Sequence, residues 1–164
     1  MGHKPAIHSN YLTGALTPKQ VRKFVRAAVP LLKKYDFQAI AFRGMSGALI
    51  APLLAYKCNK TLVMVRKPKL HFDEHHSPLQ IEGDNAMQRY IIVDDLTASG
   101  ATVRAIVRGV AEFAPQAKCL GCLFFNDFFH HEDALQLTST YRSLEVPDFP
   151  FVINNPADFY QEAK

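Results

Sequence analysis

Tyr90-Ile91-Ile92-Val93-Asp94-Asp95-Leu96-Thr97-Ala98-Ser99-Gly100-Ala101-Thr102 is the stretch on which the fold turns. One aromatic and three β-branched residues make an apolar run that reads as a buried strand. The run ends in two adjacent carboxylates. A loop of small and hydroxyl-bearing residues then leads into Ala101–Phe113, where Val103, Ile106, Val107, Val110 and Phe113 fall on one face of a helix. The first N–H groups of a helix are unpaired donors at the positive end of its dipole, so such a strand–loop–helix unit holds an anion such as phosphate. Small residues let the backbone approach that anion, and Thr97, Ser99 and Thr102 add hydroxyl donors. Asp94 and Asp95 are wrong for phosphate but right for sugar hydroxyls or a hydrated Mg²⁺. The competing structural account is a plain turn with Asp95 or Thr97 as helix N-cap.

Outward from this stretch, strands and helices alternate. Thr17 and Pro18 open a helix as N-cap and first-turn residue, and Val21, Phe24, Val25, Ala28 and Leu32 form its apolar face, with Pro30 late enough to kink it. Phe37–Phe42 reads as a short buried strand. The segment 43–47 (Arg-Gly-Met-Ser-Gly) breaks it, and Ala48–Tyr56 follows as a helix. Thr61–Arg66 is a second β-branched run. Residues 67–88 hold two prolines, three histidines and little periodicity, and read as a long loop or flexible hairpin. Lys118–Phe125 is a further strand. The alternation implies an α/β domain with a mostly parallel central sheet and helices on both faces. Ligands in such sheets bind beyond the carboxyl ends of the strands, which singles out the loops after Phe42, Arg66, Asp95 and Phe125.

The composition suits this reading. The chain has 164 residues, is 48% hydrophobic and carries a formal net charge of +4. That is enough for one domain with a sizeable core. The charge suits an anionic ligand but is too small to point to nucleic acid. The basic residues Lys19, Arg22, Lys23, Arg26, Lys33 and Lys34 read as the solvated side of the first helix. No apolar stretch is long enough to span a membrane and residues 1–10 show no secretory signal, so the expectation is a cytoplasmic protein. The cysteines are odd in number, Cys58, Cys119 and Cys122. The C-x-x-C pair lies inside an apolar strand with no second ligand pair, and reads as core rather than metal site. His71, His75 and His76 lack metal-site spacing and read as solvated loop residues.

The segment from Arg89 to Val103 resembles the binding motif for 5-phosphoribosyl 1-pyrophosphate (PRPP) of the type I phosphoribosyltransferases: an apolar strand, two acidic residues, then a Thr-Gly-Gly-Thr-like loop. Here the loop reads Ser99-Gly100-Ala101-Thr102, a conservative departure. The resemblance implies that Asp94 and Asp95 contact the ribose hydroxyls, directly or through water and Mg²⁺, and that Thr97, Ala98, Ser99, Gly100, Ala101 and Thr102 cradle the 5-phosphate. Arg43-Gly44-Met45-Ser46-Gly47 looks like the family's pyrophosphate loop. Arg66 and Lys67 are similar to the basic segment that adenine-type members carry before a loop that closes over the site. The resemblance covers roughly Phe37 to Phe125. It implies Asp94, Asp95 and Arg43 as catalytic residues, Mg²⁺ as cofactor, PRPP and a nucleobase as substrates, and a homodimer. The whole of 1–164 would be a single domain with its core at about 17–125. A small variable hood would come from 126–164 with a contribution from the N-terminus.

The base site is less sharply written. The stretch from Tyr141 to Asp158 resembles the end of xanthine–guanine enzymes, which implies Phe151 as the aromatic that stacks on the purine and Val152 facing the base edge. The 6-oxopurine members place a lysine shortly after the last strand, where this chain has Asn126. An amide both donates and accepts, so guanine, hypoxanthine and adenine all stay open. The leading expectation is a transferase moving 5-phosphoribose from PRPP to a base, a purine first. The alternative is a module that senses PRPP without turnover.

Overall fold

The computed structural model describes residues 10–67, 81–95 and 100–130. In chain order it contains α1 (Thr13–Leu16), α2 (Pro18–Leu32), β1 (Ala39–Phe42), α3 (Gly44–Cys58), β2 (Thr61–Val65), β3 (Ile81–Glu82), β4 (Arg89–Asp94), α4 (Ala101–Phe113), β5 (Lys118–Phe124) and α5 (Asn126–His130). The sheet order is β3-β2-β1-β4-β5. β1 is parallel to β2 and β4, β4 is parallel to β5, and the two-residue β3 runs antiparallel to β2.

Strand alternation divides the core into two layers. Ala39, Ala41, Tyr90 and Ile92 face one side, where Val103, Ile106 and Val110 of α4 cover them. Ile40, Phe42, Ile91 and Val93 face the other, beneath Phe24, Ala28 and Leu32 of α2 and Ile50, Ala51 and Leu54 of α3. Every residue of β1 is buried. Each Ile or Phe so enclosed contributes about 1.5–3 kcal/mol from area removed from water. The expected α/β sheet with helices on both faces is therefore what the chain forms.

Several local expectations need correction. Thr17 stands at the N-cap position of α2, but its hydroxyl donates back to the Thr13 carbonyl at 2.8 Å instead of capping. The segment 43–47 is not a loop throughout, because α3 already begins at Gly44. Within 67–88, Ile81–Glu82 pairs with Val65 and Met64 as a short strand. Lys67 and 81–88 are described, whereas the intervening 68–80, with all three loop histidines, lies outside the described residues.

The cysteine pair shows how a bulge alters a pattern. Two residues three apart on a regular strand face opposite sides. In β5, Cys119 pairs with Tyr90 and Cys122 with Ile92, so one extra residue is accommodated between them. Gly121, at φ 150, sits in that bulge. Both thiols consequently enter the α4-side core, buried and unbridged as expected.

α5 and α1 are held at the end of the sheet where β5 finishes. Phe24 of α2 packs edge-on against Phe125 and Phe128, with ring centroids 6.1 and 5.3 Å apart, and Phe125 packs against Phe129 at 5.9 Å. Such edge contacts add about 0.5–1.5 kcal/mol each beyond burial. Gly14 of α1 lies so close to Phe129 that a methyl group there would collide with the ring. This approach seats α1 against α5.

Candidate active site

β1, β2, β4 and β5 all run in one direction, so their carboxyl ends meet at one edge. From β1 the chain moves outward to β2, and later returns to β4 on the opposite flank of β1. The crevice of an open α/β sheet lies at such a reversal, here between β1 and β4. Arg43 and Gly44 follow β1, Arg66 and Lys67 follow β2, Asp94 and Asp95 end β4, and Asn126 follows β5. The edge thus brings together the expected residues of all four segments. Thr97, Ala98, Ser99, Phe151 and Val152 lie outside the described residues.

A hydrogen bond crosses the crevice. The Ser46 hydroxyl donates to Asp94 Oδ1 at 2.8 Å, and the Asp95 N–H donates to the same oxygen at 3.0 Å. Ser46 can reach because the first turn of α3 presses onto the sheet. A Cβ on Gly47 would stand 2.8 Å from Phe42 Cβ and 3.1 Å from the Val93 carbonyl oxygen, so a larger residue would push the turn away. Gly44 has the left-handed φ of 73 that a tight strand-to-helix turn needs. The nearest atoms to a Cβ there would be Lys67 Cε at 3.5 Å and Nζ at 3.8 Å. The Lys67 ammonium therefore reaches over the β1 loop from the neighbouring strand. Arg66 turns elsewhere, its Nε donating to Glu82 Oε1 at 2.8 Å.

Both carboxylates are buried, Asp94 to 3% exposure and Asp95 to 8%. Burial disfavours the charged form and lifts the Asp94 pKa to about 6, against the pull of the Ser46 and Asp95 donors, while the neighbouring Asp95 charge pushes the same way as burial. The backbone carbonyls of Asp94 and Asp95 accept from Phe125 N (3.2 Å) and Asn126 N (2.8 Å), which ties β4 to the start of α5. α4 starts after Gly100, at φ 70, and Arg104 N donates to the Gly100 carbonyl at 2.9 Å. Ala101 and Thr102 thus occupy the first turn of a helix aimed at this edge.

One residue of this constellation was not anticipated. Tyr11 lies near enough to the carboxylate pair that burial, and then the Asp95 charge, raise the pKa of its phenol. No local sequence signal marks Tyr11, which precedes a four-residue helix. Among the described residues there is no cluster of three or more His, Cys, Asp or Glu side chains of the kind that encloses a metal by itself. Nor, among them, is any helix long and apolar enough to cross a membrane.

This fold recurs among known proteins. The chain is 28% identical over 137 residues to adenine phosphoribosyltransferase of Mycoplasma capricolum subsp. capricolum, covering 74% of this chain and 79% of that protein. It is 35% identical over 103 residues to the Ureaplasma parvum serovar 3 enzyme of the same name, covering 56% of this chain and 60% of that one. No family model matches. Among solved structures, adenine phosphoribosyltransferase of Saccharomyces cerevisiae, complexed with an imino-altritol bisphosphate and adenine, superimposes with a TM-score of 0.55 at 24% identity, covering 76% of this chain and 80% of that one. The fold is that of the type I phosphoribosyltransferases. In sequence, too, the chain is purine phosphoribosyltransferase-like. The carboxylate pair and the β1 loop stand where a doubly wound sheet of this kind places its ligand.

Proposed function

We propose that this chain transfers 5-phosphoribose from PRPP to a purine, with adenine the first candidate, and releases pyrophosphate. The observation that carries the reading is the Ser46–Asp94 hydrogen bond across the β1–β4 crevice, which joins a loop fit for a diphosphate to carboxylates fit for ribose hydroxyls. The Asp-Asp motif, the order of the loops and the adenine phosphoribosyltransferase relatives support it.

Each residue then has a task. Arg43 and Lys67 offer charge to the pyrophosphate, and Gly44, Met45 and Ser46 offer backbone N–H donors, the Ser46 hydroxyl staying on Asp94. Arg66 joins them if it exchanges Glu82 for a phosphate. Asp94 and Asp95 accept from the ribose hydroxyls. The 97–102 segment and the start of α4 hold the 5-phosphate. Asn126, Phe151 and Val152 serve the base. A base nitrogen attacks C1 of the ribose, the C1–oxygen bond to pyrophosphate breaks through an oxocarbenium-like state, and the base releases a proton. The protein contributes alignment, charge stabilisation and exclusion of water.

Asp94 and Asp95 fit a Mg²⁺ ion, which takes one or two carboxylates and fills its octahedron from water and substrate. When bound, the ion would neutralise charge on the departing pyrophosphate. The single-domain reading of 1–164, with residues 126–164 and the N-terminus shaping a hood, belongs to the same proposal. So does a homodimer. α3 is apolar nearly all round, and its outward face exposes Met45, Leu53 and Tyr56, which favours a second copy there. The unbridged cysteines suit a reducing cytoplasm.

The test is pyrophosphate release with PRPP, Mg²⁺ and, separately, adenine, guanine, hypoxanthine, xanthine, uracil, orotate or nicotinamide. Release with adenine establishes the reading. Release with another base moves the acceptor. PRPP binding without release for any base replaces the transferase with a PRPP sensor.

A further inference from the structure

The net charge of +4 is a small sum of unequal parts. Residues 1–35 contain seven Lys or Arg and no Asp or Glu, whereas residues 36–164 contain twelve Lys or Arg and fifteen Asp or Glu, a net of −3. The fold gathers most of the excess on α2. Lys19, Arg22, Lys23, Arg26, Lys33 and Lys34 are all exposed. An α-helix turns by about 100° per residue, which places Lys19, Arg22 and Arg26 within about 60° of one another. Lys33 keeps that phase, because its backbone is still helical and its N–H donates to the Val29 carbonyl at 3.0 Å. The row is thus about 21 Å long at the rise of an α-helix. Phe24, Ala28 and Leu32 occupy the opposite side and are buried. Lys23 flanks the row and is engaged in a contact of its own. Among the described residues, Lys19, Arg22, Arg26 and Lys33 meet no carboxylate in an ion pair. Like charges one helical turn apart repel, and an anion laid along them relieves the repulsion.

We propose that this face of α2 is a docking surface for double-stranded RNA, held through its phosphates. A narrow, straight row of cations fits a linear polyanion better than a plane of charge. A helix that lies on a membrane needs an apolar face for the acyl boundary, and α2 has that face packed on the core beneath it. Single strands are held by aromatic side chains on which the bases stack, and no aromatic stands in the row. A helix fixed by its buried side does not enter a major groove as recognition helices do, and the row offers no Asn or Gln to a base edge. Contact therefore stays on the backbone of a duplex. A-form RNA is recognised mostly by its shape and by contacts to phosphate and 2′-hydroxyl groups. Its shorter rise per base pair also presents a denser line of phosphates than B-DNA, which strengthens the attraction to fixed cations. No residue of the row belongs to the candidate active site, so the surface stands independently of the PRPP reading.

Fluorescence anisotropy of the full chain with a labelled RNA duplex of about 20 base pairs tests this, since that length exceeds the footprint of a small duplex-binding domain. The affinity should fall about a hundredfold between about 50 and 200 mM salt, as roughly four phosphate contacts require. Lys19→Gln, Arg22→Gln, Arg26→Gln and Lys33→Gln combined in one chain should lower the affinity about a hundredfold at the lower salt and flatten the salt dependence. Glutamine is nearly as good a helix former as lysine or arginine, and circular dichroism with a thermal melt establishes that the fold is kept. Lys19→Arg with Lys33→Arg preserves the charge and should bind as the wild type does. Arg43→Gln with Lys67→Gln, at the strand edge, should leave RNA affinity unchanged. No binding by the wild type at the lower salt, or equal binding by the fourfold variant, would overturn the proposal. Loss of binding in Arg43→Gln with Lys67→Gln would overturn it by moving the RNA to the strand edge. A DNA duplex bound as tightly would replace RNA with any duplex, and binding to anionic lipid vesicles in place of RNA would replace it with a membrane.

Discussion

At the amino end of β4, Arg89 forms an ion pair with Asp36, and the Gln38 side-chain oxygen accepts from Arg89 N at 2.8 Å and Gln88 N at 3.3 Å. At the carboxyl end, five residues on, two carboxylates stand side by side in the interior, and the groups that act on Asp94 are a hydroxyl, an amide and the adjacent acid. Opposite charges meet at an exposed end, and like charges are kept together at a buried one. The first arrangement needs no ligand to be favourable. The second disfavours the ionised form, a cost that folding alone does not reward. A strand that treats its two ends so differently is fixed at one for stability and poised at the other for a ligand.

The strongest test of that contrast is Asp94→Asn. The Asp94 pKa stands at about 6 against an ordinary 3.8, mainly through burial. The folded chain therefore keeps a proton that the unfolded chain gives up between roughly pH 4 and pH 6. Stability falls as pH rises through that window and stays lower above it. The substituted amide carries no charge, so the variant should be more stable than the wild type at pH 8 by about 1–3 kcal/mol, or several degrees in Tm. The gain should vanish below pH 4. PRPP affinity should fall by about a hundredfold or more, because a ligating carboxylate is gone. Asp94→Asn together with Asp95→Asn should abolish binding. Thermal melts at pH 4 and pH 8, with calorimetry at pH 8, read both sides. A variant less stable at pH 8 that still bound PRPP would erase the contrast between the two ends.

Ser46→Ala sharpens the same contrast with a smaller effect. The Ser46 donor favours ionised Asp94, so its loss lifts the Asp94 pKa further. One such bond is worth about 1 kcal/mol, roughly half to one pKa unit. The pH below which PRPP affinity declines should move toward neutrality by that amount. Affinity at pH 8.5 should change less. A titration of PRPP affinity against pH, with wild type alongside, measures the displacement. An unmoved profile would show that Ser46 does not govern the charge on Asp94.

How much of this was legible beforehand depends on how local each feature is. Ala101–Phe113 was readable to the residue, because its apolar spacing and the glycine before it are near-neighbour properties. Asp94 and Asp95 were legible as a pair for the same reason. Their neighbours were not. Ser46 and Asp94 are 48 positions apart, and nothing in the 43–47 segment states that its hydroxyl will cross the crevice. Tyr11 was less visible still, since its place depends on Gly14 meeting Phe129. Ile81–Glu82 escaped because two residues show no period. The cysteines were correctly read as core, but the bulge that turns both to one layer arises from pairing with β4, which no local pattern encodes.

The amino end of β4 supplies the weakest and most discriminating perturbations. Gln38→Ala would leave the Arg89 and Gln88 amides without their side-chain acceptor, at a cost of about 1–2 kcal/mol. Asp36→Asn should cost less, about 0.2–1 kcal/mol, because Asp36 is 80% exposed and a surface pair competes with water and salt. Raising the ionic strength should shrink the Asp36→Asn penalty, since screening already weakens the wild-type pair. It should leave the Gln38→Ala penalty nearly constant, because amide hydrogen bonds carry no net charge. Neither change should alter PRPP affinity. Urea unfolding at low and high salt, with PRPP calorimetry, tests the separation. If Asp36→Asn weakened PRPP binding as strongly as Ser46→Ala, the ends of β4 would be electrostatically coupled along its length, and the division between a stabilising end and a ligand end would fail.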